Sequence, residues 1–220
     1  MTKLAHSYSA LKMYENCPLR YYHQRIIKSV KEQSGTATIY GERIHSALEH
    51  RLRDGTKLPD EAKHLEAAVR PLEKTSGRWE MLVEQEMTLN IKHKPTGWWD
   101  DDAWLRAKID VLMLRDRRAR VLDWKTGKRR PDFKQLELFA LMVFEHYPDI
   151  DLVDAAFVWI KDMSSDSDRY ERKSLPQMWE NTINRIRRVE QSLENEVWPA
   201  RPSGLCAYCP ARHLCDYAQV

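Results

Sequence analysis

Two aspartates and a lysine have the residue types and spacing of a metal-dependent phosphodiesterase site. Asp110 and Asp123 each stand at or near the end of an apolar segment, and Lys125 follows the second by two residues. Because side chains alternate along a strand, Asp123 and Lys125 point to one face and Trp124 points to the other. Phosphodiester hydrolysis needs a divalent ion that activates water and a cation near the transferring charge. These residues alone also fit a solvated strand edge with an ordinary Asp–Lys pair.

Further ligands for a metal ion are available nearby or from a helix. The carbonyl oxygen of Trp124 is a candidate ligand, and His45, on a predicted amphipathic helix, is a candidate nitrogen ligand. A histidine nitrogen favours Mn2+ relative to a site made only of oxygens, and cellular Mg2+ is the alternative working ion. The alternative for His45 is an ordinary surface or packed histidine.

The distribution of charge is more informative than its total. The net charge of +3 is compatible with a mixed soluble surface. Basic residues nevertheless crowd around the two aspartates between positions 106 and 134, which would attract a polyanion. These residues are Arg115, Arg117, Arg118, Arg120, Lys128, Arg129 and Arg130.

Four cysteines suggest a second site. Cys17 lies near the amino terminus, and Cys206, Cys209 and Cys215 lie close together at the other end of the sequence. In a reducing cytosol, four thiols that include a C-x-x-C pair indicate a metal or cluster site before disulfides. The spacing alone leaves zinc and an iron-sulfur cluster both open.

The pattern of apolar residues predicts an α/β fold in one domain of 220 residues. No run of 18 apolar residues occurs and the first six residues form no apolar leader, so we expect a cytoplasmic protein without a membrane span. Apolar periodicity and capping residues predict helices near 7–16, from Pro18, at 36–53, at 59–74, at 131–146 and at 176–196. Alternation predicts strands at 79–91, 104–114, 120–125 and 154–161, with a short edge strand at 169–173.

Several of these motifs together resemble a known family. Gly41-Glu42-Arg43-Ile44-His45, Ala107-Lys108-Ile109-Asp110, Leu122-Asp123-Trp124-Lys125 and Gln135 stand in the order found in RecB-like members of the PD-(D/E)xK nuclease superfamily. Cys17-Pro18 and the three late cysteines are similar to the iron-sulfur branch of that group, which includes CRISPR-adaptation exonucleases and AddB-type nuclease domains. The resemblance covers nearly the whole chain.

The resemblance implies roles for individual residues. His45, Asp110 and Asp123 would bind the catalytic metal, Lys125 would act on the nucleophile or the scissile phosphate, and Gln135 would position substrate or Lys125. Phe139 departs from the tyrosine often found four residues after that glutamine, which puts a DNA or water contact in doubt. Either Glu84 or Glu86 could join the site, and strand alternation cannot choose between them because both face the same way.

The resemblance also implies a restriction-endonuclease-like core, with a mixed sheet flanked by helices. A 4Fe-4S cluster on the four cysteines, with zinc as the rival, would join the amino- and carboxyl-terminal segments. The nuclease core would span about 36–196, with 1–30 and 197–220 as the cluster-binding periphery.

Basic and aromatic residues outside the site are candidates for nucleic-acid contact. Exposed indoles can stack on unpaired bases, and arginine and lysine can bind phosphate. The alternatives are aromatic side chains that pack in the protein and charged turns that are only solvated. The candidates are Arg20, Tyr21, Trp98, Trp99, Arg117, Arg118, Lys128 and Arg129.

The function expected from these features is a DNA nuclease that requires Mg2+ or Mn2+. By resemblance it would be an exonuclease that prefers single-stranded ends, with DNA as its partner and a role in DNA processing, recombination or repair. The alternatives are a nucleic-acid-binding subunit with an inactive nuclease site, and a zinc-stabilised nuclease that acts on RNA or branched DNA.

Overall fold

The structure is a computed structural model that describes residues 4–32, 35–75 and 77–219. The first three residues of the amino-terminal segment considered above lie outside these ranges. In chain order, the regular elements are strand β1 (His6–Ser7), helices α1 (Tyr8–Asn16), α2 (Pro18–Tyr21), α3 (Thr36–Asp54) and α4 (Glu66–Thr75), strands β2 (Glu80–Asn90), β3 (Ala103–Arg115) and β4 (Arg118–Lys125), helix α5 (Phe133–His146), strands β5 (Leu152–Trp159) and β6 (Ser164–Glu171), and helix α6 (Leu175–Asn195). A π-helical turn covers Tyr22–Ile26, and 3-10 turns cover Asp60–Leu65, Arg172–Ser174, Cys206–Tyr208, Arg212–Leu214 and Asp216–Gln219.

The described chain forms two compact units. The first contains residues 4–5 and 35–179, and the second contains residues 6–32 and 180–219. The division therefore falls inside α6, after Trp179, whereas the sequence placed the end of the core after residue 196. The prediction of a single nuclease domain stays a prediction.

The first unit contributes five strands to a mixed sheet. Strand β2 pairs with β3, β3 with β4, and β5 with β6 in antiparallel fashion, whereas β4 and β5 are parallel. A parallel pair needs a crossover connection, and α5 supplies it between β4 and β5. The predicted α/β class, with a mixed sheet flanked by helices, is confirmed.

One face of this sheet is covered by α3 and by the segment that ends in α4. Ile44 and Leu48 of α3 are buried in one core cluster with Val111, Met113 and Trp124 of the strands. Helix α5 lies against the opposite face, because Gln135 on α5 reaches Asp123, whose side chain alternates with that of Trp124. None of the helices in the described ranges combines the length and apolar composition that a bilayer crossing requires.

The largest difference from the predicted elements is β6. The sequence predicts a short edge strand at 169–173, but the strand begins at Ser164 and ends at Glu171. Its residues are mostly exposed serines, aspartates and arginine, so the strand lacks the apolar alternation by which the others were located. An edge strand that is solvated on both faces leaves this weak signal.

Candidate active site

The pairing of β3 with β4 brings the two aspartates together. Val111 lies opposite Leu122 and Arg115 lies opposite Arg118, and the continuation of this register places Asp110 opposite Asp123. Both side chains are buried, with 8% and 5% of their surface exposed. The indole of Trp124 is buried in the core on the other face, so it anchors the strand that carries Asp123 and Lys125.

Hydrogen bonds fix the positions of these groups. The backbone amide of Trp124 donates to Oδ2 of Asp110 at 2.7 Å. Lys125 Nζ donates to Oε1 of Gln135 at 3.0 Å, and Nε2 of the same glutamine donates to Oδ1 of Asp123 at 3.0 Å. Lys125 Nζ also lies 2.6 Å from Oδ2 of Asp123. Gln135 thus holds the lysine and the carboxylate in one orientation, and its role in positioning them for catalysis stays a prediction.

His45 and Glu84 meet Asp110 from other elements. His45 Nδ1, on α3, lies 3.5 Å from Asp110 Oδ2. One ligand atom each from His45, Glu84 and Asp110 lie within 4.8 Å of one another, and no other group of three ligating side chains within the described ranges meets this spacing. Asp123 lies beside Asp110 but outside this group, in contact with Lys125. The carbonyl of Trp124 as a ligand stays a prediction.

The register of β2 with β3 explains why Glu84, and not Glu86, reaches the site. Val83 pairs with Val111 and Gln85 pairs with Ile109, while Glu84 between them has φ of 55°, in the left-handed region. This conformation costs on the order of 1–3 kcal/mol for a residue other than glycine, and such strain is concentrated at functional sites. In this register, Glu84 lies opposite Asp110 and pairs with Lys108 at 2.7 Å, whereas Glu86 lies two residues further along β2 and is exposed.

The site has a surplus of negative charge that would favour a bound cation. Burial raises the pKa of Asp123 to about 6, although the neighbouring Lys125 charge opposes this rise. Burial would lower the pKa of His45, but the hydrogen bond and charge of Asp110, with Asp123 and Glu84, raise it above its ordinary value. Oδ2 of Asp123 is buried and has no partner in hydrogen-bond geometry, despite its short contact with Lys125. Such an oxygen is a suitable ligand for a hard divalent cation.

Glu84→Gln is expected to weaken metal binding about tenfold or more, because it removes a carboxylate ligand or its immediate support. The matched control is Glu86→Gln, which removes the same charge from the same strand at an exposed position. The half-saturating Mn2+ concentration for hydrolysis should rise for Glu84→Gln only. Equal values for both variants would exclude Glu84 from the metal site.

A close approach of α3 to the end of β4 places His45 beside Asp110. A Cβ atom added at Gly41 would lie 2.9 Å from Oγ1 of Thr126, the residue that follows Lys125. Gly41 lies one helical turn before His45. Because it has no Cβ atom, α3 can approach Thr126 more closely than a larger residue would allow.

Gly41→Ala is expected to lower the hydrolysis rate about tenfold, since small displacements of catalytic groups have large effects. Stability should change little, because the gain of about 1 kcal/mol from the better helix former offsets much of the cost of the close contact. Thr126→Ala in the same chain should restore the rate, and Gly77→Ala, where an added Cβ meets nothing within 4 Å, should leave the rate unchanged. A Gly41→Ala enzyme with the wild-type rate would contradict the role of this contact.

The structure separates the candidate nucleic-acid contacts of the first unit into different regions. Arg117 and Arg118 lie at the start of β4, about 17 Å or more from Asp123 at a rise of about 3.3 Å per residue. Their proximity to the aspartates in sequence is thus not proximity in space, and Arg117 pairs with Asp151. Arg129 pairs with Asp166, and Lys128 is exposed. Contact of these residues with nucleic acid stays a prediction.

In the second unit, Arg20 and Tyr21 have partners within the protein. Arg20 donates to Gln24 at 2.7 Å and pairs with Glu32 at 2.8 Å. Tyr21 is fully buried and stacks on Trp198, with ring centroids 6.0 Å apart. Tyr21 is therefore an aromatic side chain that packs in the protein, and it offers no ring face to a base in this conformation.

The four cysteines line one cavity of the second unit. All four are free thiols, and each is partly buried. The backbone amide of Arg201 donates to Sγ of Cys17 at 3.4 Å, and that of Ser203 donates to Sγ of Cys206 at 3.3 Å. In this described part of the chain, no three of the sulfur atoms lie within 4.8 Å of one another. The cluster itself is not shown by this arrangement.

A mixed sheet that presents two buried aspartates, a lysine two residues after the second and a histidine from a flanking helix defines the class of metal-dependent nucleases. The sequence matches the PD-(D/E)XK nuclease superfamily over residues 5–216. The chain belongs to this superfamily.

One solved structure shows the same fold, and two others align more weakly. A provisionally assigned exonuclease from Eubacterium rectale aligns with a TM-score of 0.56 and 15% identity, covering 99% of this chain and 88% of that one. SSO0001 aligns at a TM-score of 0.42 with 14% identity over 94% and 85% of the two chains. LHK-Exo, crystallised with dAMP, aligns at 0.31 with 12% identity over 84% and 93%. The last two alignments have TM-scores too low to support a common fold. No curated protein matches the sequence significantly.

Proposed function

We propose that the protein is a DNA exonuclease that requires Mg2+ or Mn2+ and prefers single-stranded ends. The observation that carries the proposal is the pair of buried aspartates beside Lys125, with Oδ2 of Asp123 lacking a hydrogen-bond partner. The order of the motifs supports a place in the RecB-like branch of the superfamily.

The residues of the first unit would divide the chemistry between them. Asp110, Asp123 and His45, supported by Glu84, would hold the metal ion, which when bound supplies Lewis acidity and lowers the pKa of water. Lys125 would place a positive charge beside the phosphate where negative charge develops. Gln135 would keep Lys125 directed to that position through its amide oxygen. The backbone amide of Trp124 would orient Asp110.

The choice between Mn2+ and Mg2+ follows from the donor atoms. The carboxylates of Asp110, Asp123 and Glu84 suit either ion, whereas the imidazole nitrogen of His45 favours Mn2+. Hydrolysis with Mg2+ is expected at higher metal concentrations than with Mn2+.

Degradation of end-labelled DNA tests this function. Single- and double-stranded DNA of one sequence should be incubated with Mg2+, with Mn2+ or with EDTA. We expect short products from the single strand with either metal, slower degradation of blunt duplex and no products in EDTA. Binding of DNA without products under any metal condition would refute the nuclease function.

The cysteine cavity is proposed to hold a 4Fe-4S cluster. The family resemblance is supported by the four free thiols around one cavity and by backbone amides that donate to two of the sulfurs. Tetrahedral zinc, with Zn–S bonds of about 2.3 Å, would bring its sulfurs to about 3.8 Å from one another. The preference for a cluster rather than zinc follows from the family resemblance of the four cysteines.

Metal analysis of protein purified without oxygen tests the cluster. We expect iron and sulfide in equal amounts, with broad absorption near about 400 nm, a range typical of such clusters. A colourless protein with one zinc ion per chain would overturn this proposal while leaving the nuclease proposal intact.

A further inference from the structure

A row of side chains leads away from the metal site along one face of β3. Residues two apart on a strand share a face, so Lys108, Arg106 and Trp104 follow Asp110 on the side that carries the site. At a rise of about 3.4 Å per residue, the row is about 20 Å long from Asp110 to Trp104. The register places Lys125, the last residue of β4, opposite Lys108, so Arg106 and Trp104 lie beyond the end of β4.

Arg106 lies at the centre of an aromatic surface. Its guanidinium carbon is 5.4 Å from the ring centroid of Trp98 and 5.7 Å from that of Trp99. Its Nε is buried without a hydrogen-bond partner, and within the described ranges no carboxylate forms an ion pair with it. We call Trp98, Trp99 and Arg106 the tryptophan platform. A cation and two indoles without an anionic partner are the groups with which proteins hold phosphate and stacked bases.

The platform is accessible and rests on a well-defined loop. Trp99 is 84% exposed, an unusual position for the largest apolar side chain. Asp100 accepts hydrogen bonds from the hydroxyl of Thr96 at 2.7 Å and from the amide of Gly97 at 2.6 Å. These bonds lower the pKa of Asp100, so the carboxylate stays ionised and continues to hold the turn. The indole of Trp99 is thus displayed on a fixed turn.

The far end of the row is closed by packed aromatic rings. His93 stacks on Trp179 with centroids 3.6 Å apart and planes inclined by 8°, and Trp104 stacks on Trp179 at 6.4 Å. The indole of Trp179 donates to Glu145 at 2.7 Å. This stack is structural because its rings already face one another. The platform is therefore the part of the row that offers aromatic surface to a ligand.

From this arrangement we infer that the platform binds a single-stranded segment of the substrate, an inference that rests on the proposed nuclease function. Arg106 would contact a phosphate of the strand and Trp99 would stack on a base, whereas Lys108 is paired with Glu84 at 2.7 Å. Arg106 lies about 14 Å from Asp110 along β3, which corresponds to about four nucleotides at 3.4 Å per stacked nucleotide.

Single strands fit this surface better than duplexes. A paired base exposes only its edge in a groove, whereas an unpaired base offers its face to an indole. Aspartates 100–102 follow the tryptophans, and their negative charge opposes phosphate binding in the loop itself. Stacking on Trp99 should therefore contribute more to binding than charge, and the effect of salt should be small at this position.

The length dependence of hydrolysis tests the platform. Steady-state kinetics should be measured with oligothymidylates of three and ten nucleotides for the wild type, Trp99→Ala and Trp99→Phe. The ten-nucleotide substrate reaches the platform and the three-nucleotide substrate does not. We expect Trp99→Ala to lower the ratio of kcat/KM for ten to that for three nucleotides about tenfold, mainly through KM, and Trp99→Phe to retain most of the ratio.

Ile91→Ala is the matched control, because Ile91 is a 67% exposed apolar residue of the same hairpin outside the platform. An unchanged length ratio in Trp99→Ala, with hydrolysis intact, would overturn the platform alone. An equal loss in Ile91→Ala would also overturn it, since the effect would then belong to the hairpin in general. Slower hydrolysis of duplex by Trp99→Ala, with hydrolysis of the single strands unchanged, would overturn the proposal and assign the surface to a duplex flank instead. Absence of hydrolysis in the wild type would refute the nuclease function itself.

Discussion

Replacement of Asp123 by asparagine is expected to reduce hydrolysis at least about a thousandfold while making the metal-free protein more stable. The loss of activity follows because the variant removes a charged metal ligand beside Lys125. The gain in stability follows because the ionised carboxylate is buried and lies close to Asp110. An amide of the same shape carries no charge, so the folded state no longer bears the cost of this repulsion and desolvation.

The pH dependence of this gain has a defined sign. Burial raises the pKa of Asp123 in the folded protein to about 6, above the value of 3.8 for a free aspartate. The folded state therefore binds more protons between these two values, and the free energy of unfolding of the wild type falls as the pH rises through them. In EDTA, Asp123→Asn should be more stable by about 3 kcal/mol above pH 6, from a pKa difference between 3.8 and about 6. The difference should disappear below pH 4.

The control is Asp116→Asn, at an exposed position of the β3–β4 turn. It removes the same charge but should change neither the hydrolysis rate nor the pH dependence of unfolding. If Asp123→Asn were less stable than the wild type at pH 8 in EDTA, the carboxylate would be well compensated in the apo protein. The surplus of negative charge inferred for the site would then be wrong.

Lys125→Met is expected to lower kcat by a factor of about 100 to 10,000 without a comparable loss of metal affinity. The methionine keeps the length of the side chain but removes the charge that lies 2.6 Å from Asp123 and bonds to Gln135. Preorganised positive charge at the developing phosphate charge contributes on this scale. Metal binding should be retained or strengthened, because Lys125 no longer competes for Asp123.

Isothermal titration with Mn2+ and single-turnover hydrolysis at saturating metal separate these two effects. Lys128→Met, an exposed lysine three residues further along, is the matched control and should retain the wild-type kcat. A Lys125→Met protein that hydrolyses DNA at the wild-type rate once saturated with metal would show that the lysine only supports metal binding.

The catalytic strand could be predicted from sequence because alternation has a fixed period. Asp123 and Lys125 must share a face when Trp124 is in the core, and the structure places all three accordingly. Their convergence with His45 could not come from periodicity, since a contact between a helix and a strand 65 positions away depends on packing. For His45 and Gln135 the family resemblance supplied what local patterns lacked.

Glu84 shows the limit of pattern-based inference. Alternation assigns Glu84 and Glu86 to one face, and only the register with β3, which sets Glu84 opposite Asp110 and Glu86 opposite Lys108, chooses between them. The left-handed backbone at Glu84 could not be predicted either, because glycine or asparagine would be the usual sign of such a position. The arginines near Arg117 illustrate the opposite error. They are close to both aspartates in sequence, but they lie at the start of β4, and Asp123 lies near its end.

The most direct test of the metal-dependent nuclease site compares wild type and Asp123→Asn on single-stranded DNA labelled at one end. Both proteins should be assayed with Mn2+ and with EDTA, at concentrations matched by thermal unfolding. The site described above predicts rapid degradation by the wild type with Mn2+, none in EDTA, and at least a thousandfold slower degradation by Asp123→Asn. Equal degradation by the two proteins would contradict it.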